Sequence, residues 1–182
     1  FFETDDNSDL TVDFGFVPLM SIGNRVWLDD GAVSGGFDQT QFDNGIVDGT
    51  EGGISGVTVN LYFASDLTTA ISSTTTDGTG YYLFDNLPPG DYVVELPASN
   101  FAVSGALEGH LSSTDIIAPV DADADNDDHG IDPTTPGTDP VRSPVITLTL
   151  SGEAQADDEA VTGTNGGTDP PIADNNSDLT VD

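Results

Sequence analysis

Apolar and polar residues alternate along several short stretches of this chain, and the alternation predicts strands. The clearest is residues 54–64, ISGVTVNLYFA, where Val57, Val59, Leu61 and Phe63 share one face and Thr58, Asn60 and Tyr62 the other. Residues 8–17, SDLTVDFGFV, align Leu10, Val12, Phe14 and Phe16, and Pro18 stops the run. Further strands are expected in SIGNRVWL (21–28), the Ser- and Thr-rich stretch 68–76, YYLF (81–84), DYVVELP (91–97) and VITLTL (145–150). One or two short strands are expected near 101–103 and 114–118. DGTG (77–80) and NLPPG (86–90) carry turn chemistry. Residues 29–53, 119–144 and 151–175 read as loops, and no segment shows a convincing helical period. Short strands at roughly ten-residue spacing predict an all-β sandwich.

The strand at 8–17 has a partner in the sequence. Residues 5–13 read DDNSDLTVD and residues 174–182 read DNNSDLTVD, eight of nine positions identical at an offset of 169. That offset is the size of one domain, and repetition at a fixed period marks an array built from one unit. The chain therefore divides into a joining strand, residues 1–19, and a sandwich unit, residues 20–182. Residues 177–182 begin the second copy of the joining strand.

Composition narrows the partners. Thirty-three acids face two bases, Arg25 and Arg142, for a net charge of −31. Nucleic acid is excluded, because phosphate binding needs clustered Lys and Arg. An anionic membrane surface repels such a chain, and no apolar run is long enough for a spanning helix. Cations are the natural partners. Acidity alone favours disorder, but hydrophobic residues make up 36% and come in ordered blocks, enough for a core. No cysteine is present, so no disulfide ties the fold. With neither an initiator Met nor a signal peptide, Phe1 is expected to be an internal or mature start.

The block from Thr76 to Tyr92, TDGTGYYLFDNLPPGDY, carries a T-D turn, then G-x-Y-x-F, then L-P-x-G-x-Y. It closely resembles the core of prealbumin-like surface repeats: the collagen-adhesin B-type domains and the B repeats of serine–aspartate-rich adhesins. SIGNRVWLDD, GISGVTVNLY (53–62), DNDDHGI (125–131) and the closing SDLTVDFGF fit the same family. The resemblance covers most of residues 20–182. It implies a prealbumin-like, Ig-like β-sandwich with long acidic calcium-binding loops, at the cell surface or otherwise extracellular. Many relatives carry an internal Lys–Asn or Lys–Asp isopeptide bond. This chain has no lysine and cannot make it.

The family's calcium loop reads D-x-N-x-N-G-x-x-D-x-x-E. Asn44, Gly45, Ile46, Asp48 and Glu51 reproduce its second half, at positions 5, 6, 7, 9 and 12 of an EF-hand-type loop. Gly45 allows the sharp turn, Ile46 offers a carbonyl, and Glu51 chelates with both oxygens. The first half is displaced, which leaves Asp29 or Asp30 to supply the missing carboxylate. A second candidate is DADADNDDHGID (121–132), with Asp121, Asp123, Asp125 and Asp127 in alternation and the register left open. The competing reading of both is an acidic, solvated loop. An extracellular calcium site binds at about 10⁻⁴–10⁻³ M. At ~1 mM calcium one such site adds about 0.4–1.4 kcal/mol.

Catalysis finds no support. Carboxylate pairs are expected by chance among so many acids, and no triad or G-x-S-x-G element is present. His110 and His129 stand in loops, His129 as a loop residue or spare ligand. Trp27 reads as core rather than a sugar platform. Asn175-Asn176-Ser177 is a glycosylation sequon. The function expected is a structural subunit of an extracellular fibre, stalk or surface array. Its partners are neighbouring copies, joined by a shared or donated β-strand and stiffened by calcium. The alternative is an adhesin module that binds a host ligand or glycan.

Overall fold

The computed structural model describes residues 14–16, 19–114, 128–135 and 137–149. Nine strands appear among the described residues: β1 (Met20–Arg25), β2 (Asp30–Val33), β3 (Gly36–Phe42), β4 (Thr58–Phe63), β5 (Ser72–Thr75), β6 (Tyr81–Leu87), β7 (Gly90–Leu96), β8 (Val141–Arg142) and β9 (Ile146–Leu148). All the pairings among them are antiparallel. β1 pairs with β6, and β5-β4-β7 form a second sheet to which β8 and β9 add. β8 and β9 follow one another along one side of β7, at Glu95–Leu96 and at Gly90–Tyr92.

The two sheets enclose one core. Met20, Ile22, Tyr82, Phe84 and Leu87 from β1 and β6 pack against Val59, Leu61, Tyr92, Val94, Ile146 and Leu148. Ile22, Val59, Leu61 and Tyr92 are 0% exposed. Burying Ile22, Val59 or Leu61 stabilises the fold by about 1.5–3 kcal/mol each. The face expected for β4 is buried at Val57, Val59 and Leu61, whereas Phe63 is exposed and stacks on Tyr92 at 5.5 Å between ring centres. The T-D turn closes on Asp77, which accepts from the N–H (2.7 Å) and hydroxyl (2.8 Å) of Thr79 and from the N–H of Tyr81 (3.1 Å). Gly80, at φ 92°, lies so close to Val26 O that a Cβ would stand 2.4 Å away. The L-P-x-G-x-Y motif closes on Tyr92, whose buried hydroxyl donates to Pro88 O at 2.7 Å. Burial pushes its phenol pKa up.

Four expectations need correction. Residues 29–53 are not all loop: β2 and β3 form a hairpin turned at Ser34–Gly35, with Gly35 at φ 97°. The strand expected to run to residue 28 ends at Arg25, and Trp27 makes only an isolated bridge to Gly53. No strand forms at 101–103; a 3₁₀ turn (Ala98–Asn100) and further turns take its place. The acidic, Pro-rich stretch contains β8. The joining strand and its second copy lie outside the described residues, except for Phe14–Phe16 and Leu19.

Candidate functional site

The β2–β3 hairpin and the loop after it gather the first acidic cluster. Glu51 is buried, with Oε1 accepting from Gly31 N–H (2.9 Å) and Oε2 from Asp48 N–H (3.3 Å). Asp29 Oδ2 accepts from Gly45 N–H at 2.8 Å and from the Ser113 hydroxyl. Asp48 Oδ2 accepts from the Asn44 amide at 3.2 Å, and Asn44 Oδ1 accepts from Ile46 N–H at 2.9 Å. Gly45 stands at φ 72°, the left-handed turn expected of it.

The structure thus brings Asp29, Asn44, Ile46, Asp48 and Glu51 into one hydrogen-bonded loop. It also separates the two candidate carboxylates at the strand end. Asp29 reaches the loop, while Asp30 accepts from Ala32 N–H (3.1 Å) within its own strand. Asp121, Asp123, Asp125 and Asp127 lie outside the described residues. The residue after them, Asp128, is buried, and its N–H donates to Gly45 O at 2.9 Å. The end of the second acidic run is therefore anchored on the turn of the first.

Electrostatics mark the cluster as crowded. Burial pushes the Glu51 carboxyl up; the N–H groups of Gly31 and Asp48 pull the other way, and the charges of Asp29 and Asp48 add to the rise. Asp29 Oδ1 and Asp48 Oδ1 are buried without a hydrogen-bond partner. Buried oxygens of this kind are costly unless something satisfies them. A hard cation with oxygen ligands fits that need. Among the described residues, no three His, Cys, Asp or Glu side chains form a group able to hold a metal on their own. A cation here would need the Asn44 amide and main-chain carbonyls as well.

Sequence reasoning missed Asp43, Ser113 and Thr114. Asp43 sits at φ 54°, and its Oδ1 accepts from Thr114 N–H (3.0 Å) and the Thr114 hydroxyl (3.3 Å). This ties the 98–114 segment to the loop. Nothing in that segment's pattern signals a partner some seventy residues away. Beside the cluster lies a cavity of about 510 Å³ whose lining includes Trp27, Phe42, Phe101, Leu107 and both arginines. Neither arginine is idle. Arg25 donates to Thr79 O and Glu51 O and lies over the Tyr81 ring at 5.6 Å. Arg142 pairs with Glu95.

Residues 20–141 match the family described as SdrD B-like domain. Serine-aspartate repeat-containing protein I of Staphylococcus saprophyticus is 40% identical over 94 residues, covering 50% of this chain and 4% of that protein. A protein described as fibrinogen-binding from Staphylococcus epidermidis is 42% identical over 88 residues, covering 47% and 7%. Colossin-A of Dictyostelium discoideum is 33% identical over 99 residues, covering 54% and 1%. The chain spans only a small part of each of these relatives.

Proposed function

Because the chain belongs to the SdrD B-like domain family, we propose that it is a rigid spacer module of an extracellular stalk or surface array, joined to its neighbours by a shared β-segment and stiffened by calcium. The family's members are non-enzymatic B-type repeats of cell-surface proteins. The finer reading concerns how one module meets the next. Residues 8–17 complete a sheet in the preceding unit, and residues 177–182 take the equivalent place in this one. The observation that carries this is the duplicated segment. Phe14 and Phe16, which continue its first copy, are 81% and 92% exposed. Two large aromatic rings in water call for a partner surface.

Calcium is the second part of the proposal. Asp29, Asn44, Asp48, Glu51 and the Ile46 carbonyl would hold the ion, which supplies charge compensation and cross-bracing rather than chemistry. Support comes from the two unsatisfied buried oxygens and the raised Glu51 pKa. A module stiffened in this way keeps its hairpin, the loop and the Ser113–Thr114 strap as one body. Asp121, Asp123, Asp125 and Asp127 precede Asp128 in sequence and are the second candidate run.

The test is assembly. Sedimentation and negative-stain microscopy of the full chain are expected to show end-to-end multimers in calcium and shorter, bent ones in chelator. Deleting residues 1–17 is expected to abolish multimers and leave the sandwich folded by circular dichroism. Multimers of normal length after that deletion refute strand sharing.

A further inference from the structure

The sandwich has several strand edges, and their chemistry differs. The outer edge of β5 is hydroxyl-rich, with Ser72, Ser73 and Thr75 exposed. The line of β8 and β9 is interrupted at Pro144, which has no N–H to donate. β6 carries exposed Asp85 and Asn86, the latter at φ 60°, which breaks the regular pleat. β1 is unlike these. Met20 and Ile22 are 1% and 0% exposed, Gly23 and Asn24 are also buried, and β6 is the one described strand beside it. Ile146 and Leu148 of β9 belong to the same core cluster as Met20 and Ile22. A strand laid along β1 opposite β6 would send alternate side chains between β1 and β9.

The path of the chain points to the same place. β9 ends where Leu148 pairs with Gly90, and β1 begins where Met20 pairs with Leu87. Only Pro88 and Pro89 separate those partners. The chain thus leaves β9 at the end of the sandwich where β1 starts. The segment beyond contains Leu179 and Val181 in alternation with Thr180 and Asp182. That is the period-two pattern this edge requires.

We infer that the edge of β1 opposite β6 is the acceptor for the duplicated segment, with Leu179 and Val181 seated between β1 and β9. This rests on the strand-joining reading above, and names the surface that reading needs. The equivalent residues of the first copy, Leu10 and Val12, take the same edge in another unit. Main-chain hydrogen bonds supply the attachment, and the apolar pair fixes the register.

The absence of cysteine from the chain makes cross-linking a clean test. Ser21 faces away from the core beside Ile22, and Thr180 faces the same way if Leu179 and Val181 point inward. The paired variants Ser21→Cys with Thr180→Cys, and Ser21→Cys with Asp182→Cys, bracket the register. One of them is expected to form an intrachain disulfide at a yield at least about tenfold above a Ser73→Cys/Thr180→Cys control, since neighbouring strands meet the distance limit for the bond. Equal yields, or cross-linking to Ser73→Cys alone, overturn the inference. A mixture of the Ser21→Cys chain with a Thr11→Cys chain then reads sharing between chains. An intrachain bond without the mixed one leaves the acceptor edge standing and removes strand sharing. Because the bonds form in folded protein, checked by near-ultraviolet circular dichroism, misfolding of a variant is seen separately.

Discussion

Replacing Arg142 by methionine removes one half of the tie between β7 and β8 and strands the other half in the interior. Glu95 is 5% exposed, and its Oε2 accepts from Arg142 Nε at 2.7 Å and Nη2 at 2.6 Å. Its Oε1 accepts from the Tyr62 hydroxyl at 3.1 Å. In Arg142→Met the carboxylate keeps only the tyrosine. Breaking a buried pair on one side costs about 3–5 kcal/mol, whereas exposed pairs contribute about 0–1 kcal/mol. The Arg142 side chain is 38% exposed and that of Glu95 6%, so solvent screens one end. An intermediate cost of about 2–3 kcal/mol follows. In urea, with a slope of about 1–3 kcal/mol per molar, the midpoint should fall by about 0.7–3 M.

The pair is asymmetric, and the asymmetry is the sharper test. Glu95→Gln keeps an acceptor for Tyr62 and leaves an arginine that can turn to water, so it should cost less than about 1.5 kcal/mol. The double variant Glu95→Gln/Arg142→Met relieves the stranded charge and should be more stable than Arg142→Met alone. Urea unfolding at fixed calcium, followed by Trp27 fluorescence, measures all four proteins. If Glu95→Gln proves the more damaging single change, or the double variant the least stable, the argument from uneven burial is wrong.

Two further outcomes are expected. The raised pKa of Glu51 means that the native state holds its proton more tightly than the unfolded chain does. Its contribution is therefore fully present below the ordinary value of 4.5 and is lost as pH rises through the folded-state value. In chelator, Glu51→Gln should raise the thermal midpoint near neutral pH relative to the parent; in ~1 mM calcium it should erase the metal's stabilisation of about 0.4–1.4 kcal/mol. Tyr92→Phe removes the bond to Pro88 O and should cost about 0.5–1.5 kcal/mol by chemical denaturation, with calcium dependence unchanged.

Strands were legible in the sequence where alternation and burial coincide. β4 and β7 place large apolar residues in the core at every second position, β6 does so at Tyr82 and Phe84 before skipping to Leu87, and the turns between them carry Gly, Pro and Asp where the backbone needs them. The β2–β3 hairpin was not legible because its formation does not depend on an apolar face. β3 is mostly exposed; the hairpin holds by main-chain pairing, by the Ser34–Gly35 turn, and by Phe37 and Phe42 packing at 6.0 Å. The loop's glycine and acids were readable as a spacing, but the choice between Asp29 and Asp30 was not. It depends on which way the chain faces as it enters a hairpin the pattern conceals. The Ser113 and Thr114 hydroxyls are farther out of reach, since only the folded chain sets them against Asp29 and Asp43.

The lack of lysine raises the question of what replaces a covalent brace, and the answer lies where the ladders run out. Asn100, buried beside β4, accepts from Thr58 N–H at 2.9 Å and donates to Thr58 O at 2.8 Å, so one side-chain amide imitates a strand residue. Thr76 does similar work before β4, accepting from Val57 N–H (2.9 Å) and donating to Ile54 O (2.7 Å). Between β8 and β9, Ser143 donates its N–H to Val94 O and accepts from Val94 N–H through its hydroxyl, both at 3.0 Å. Each tie satisfies main-chain groups that an interrupted sheet would otherwise leave unpaired in the interior. Each is a neutral, short-range contact, so a net charge of −31 does not weaken it directly. Among the described residues Glu95 is buried against Arg142, whereas Glu51 is buried with Asp29 and Asp48 beside it, and that is where a cation would add most.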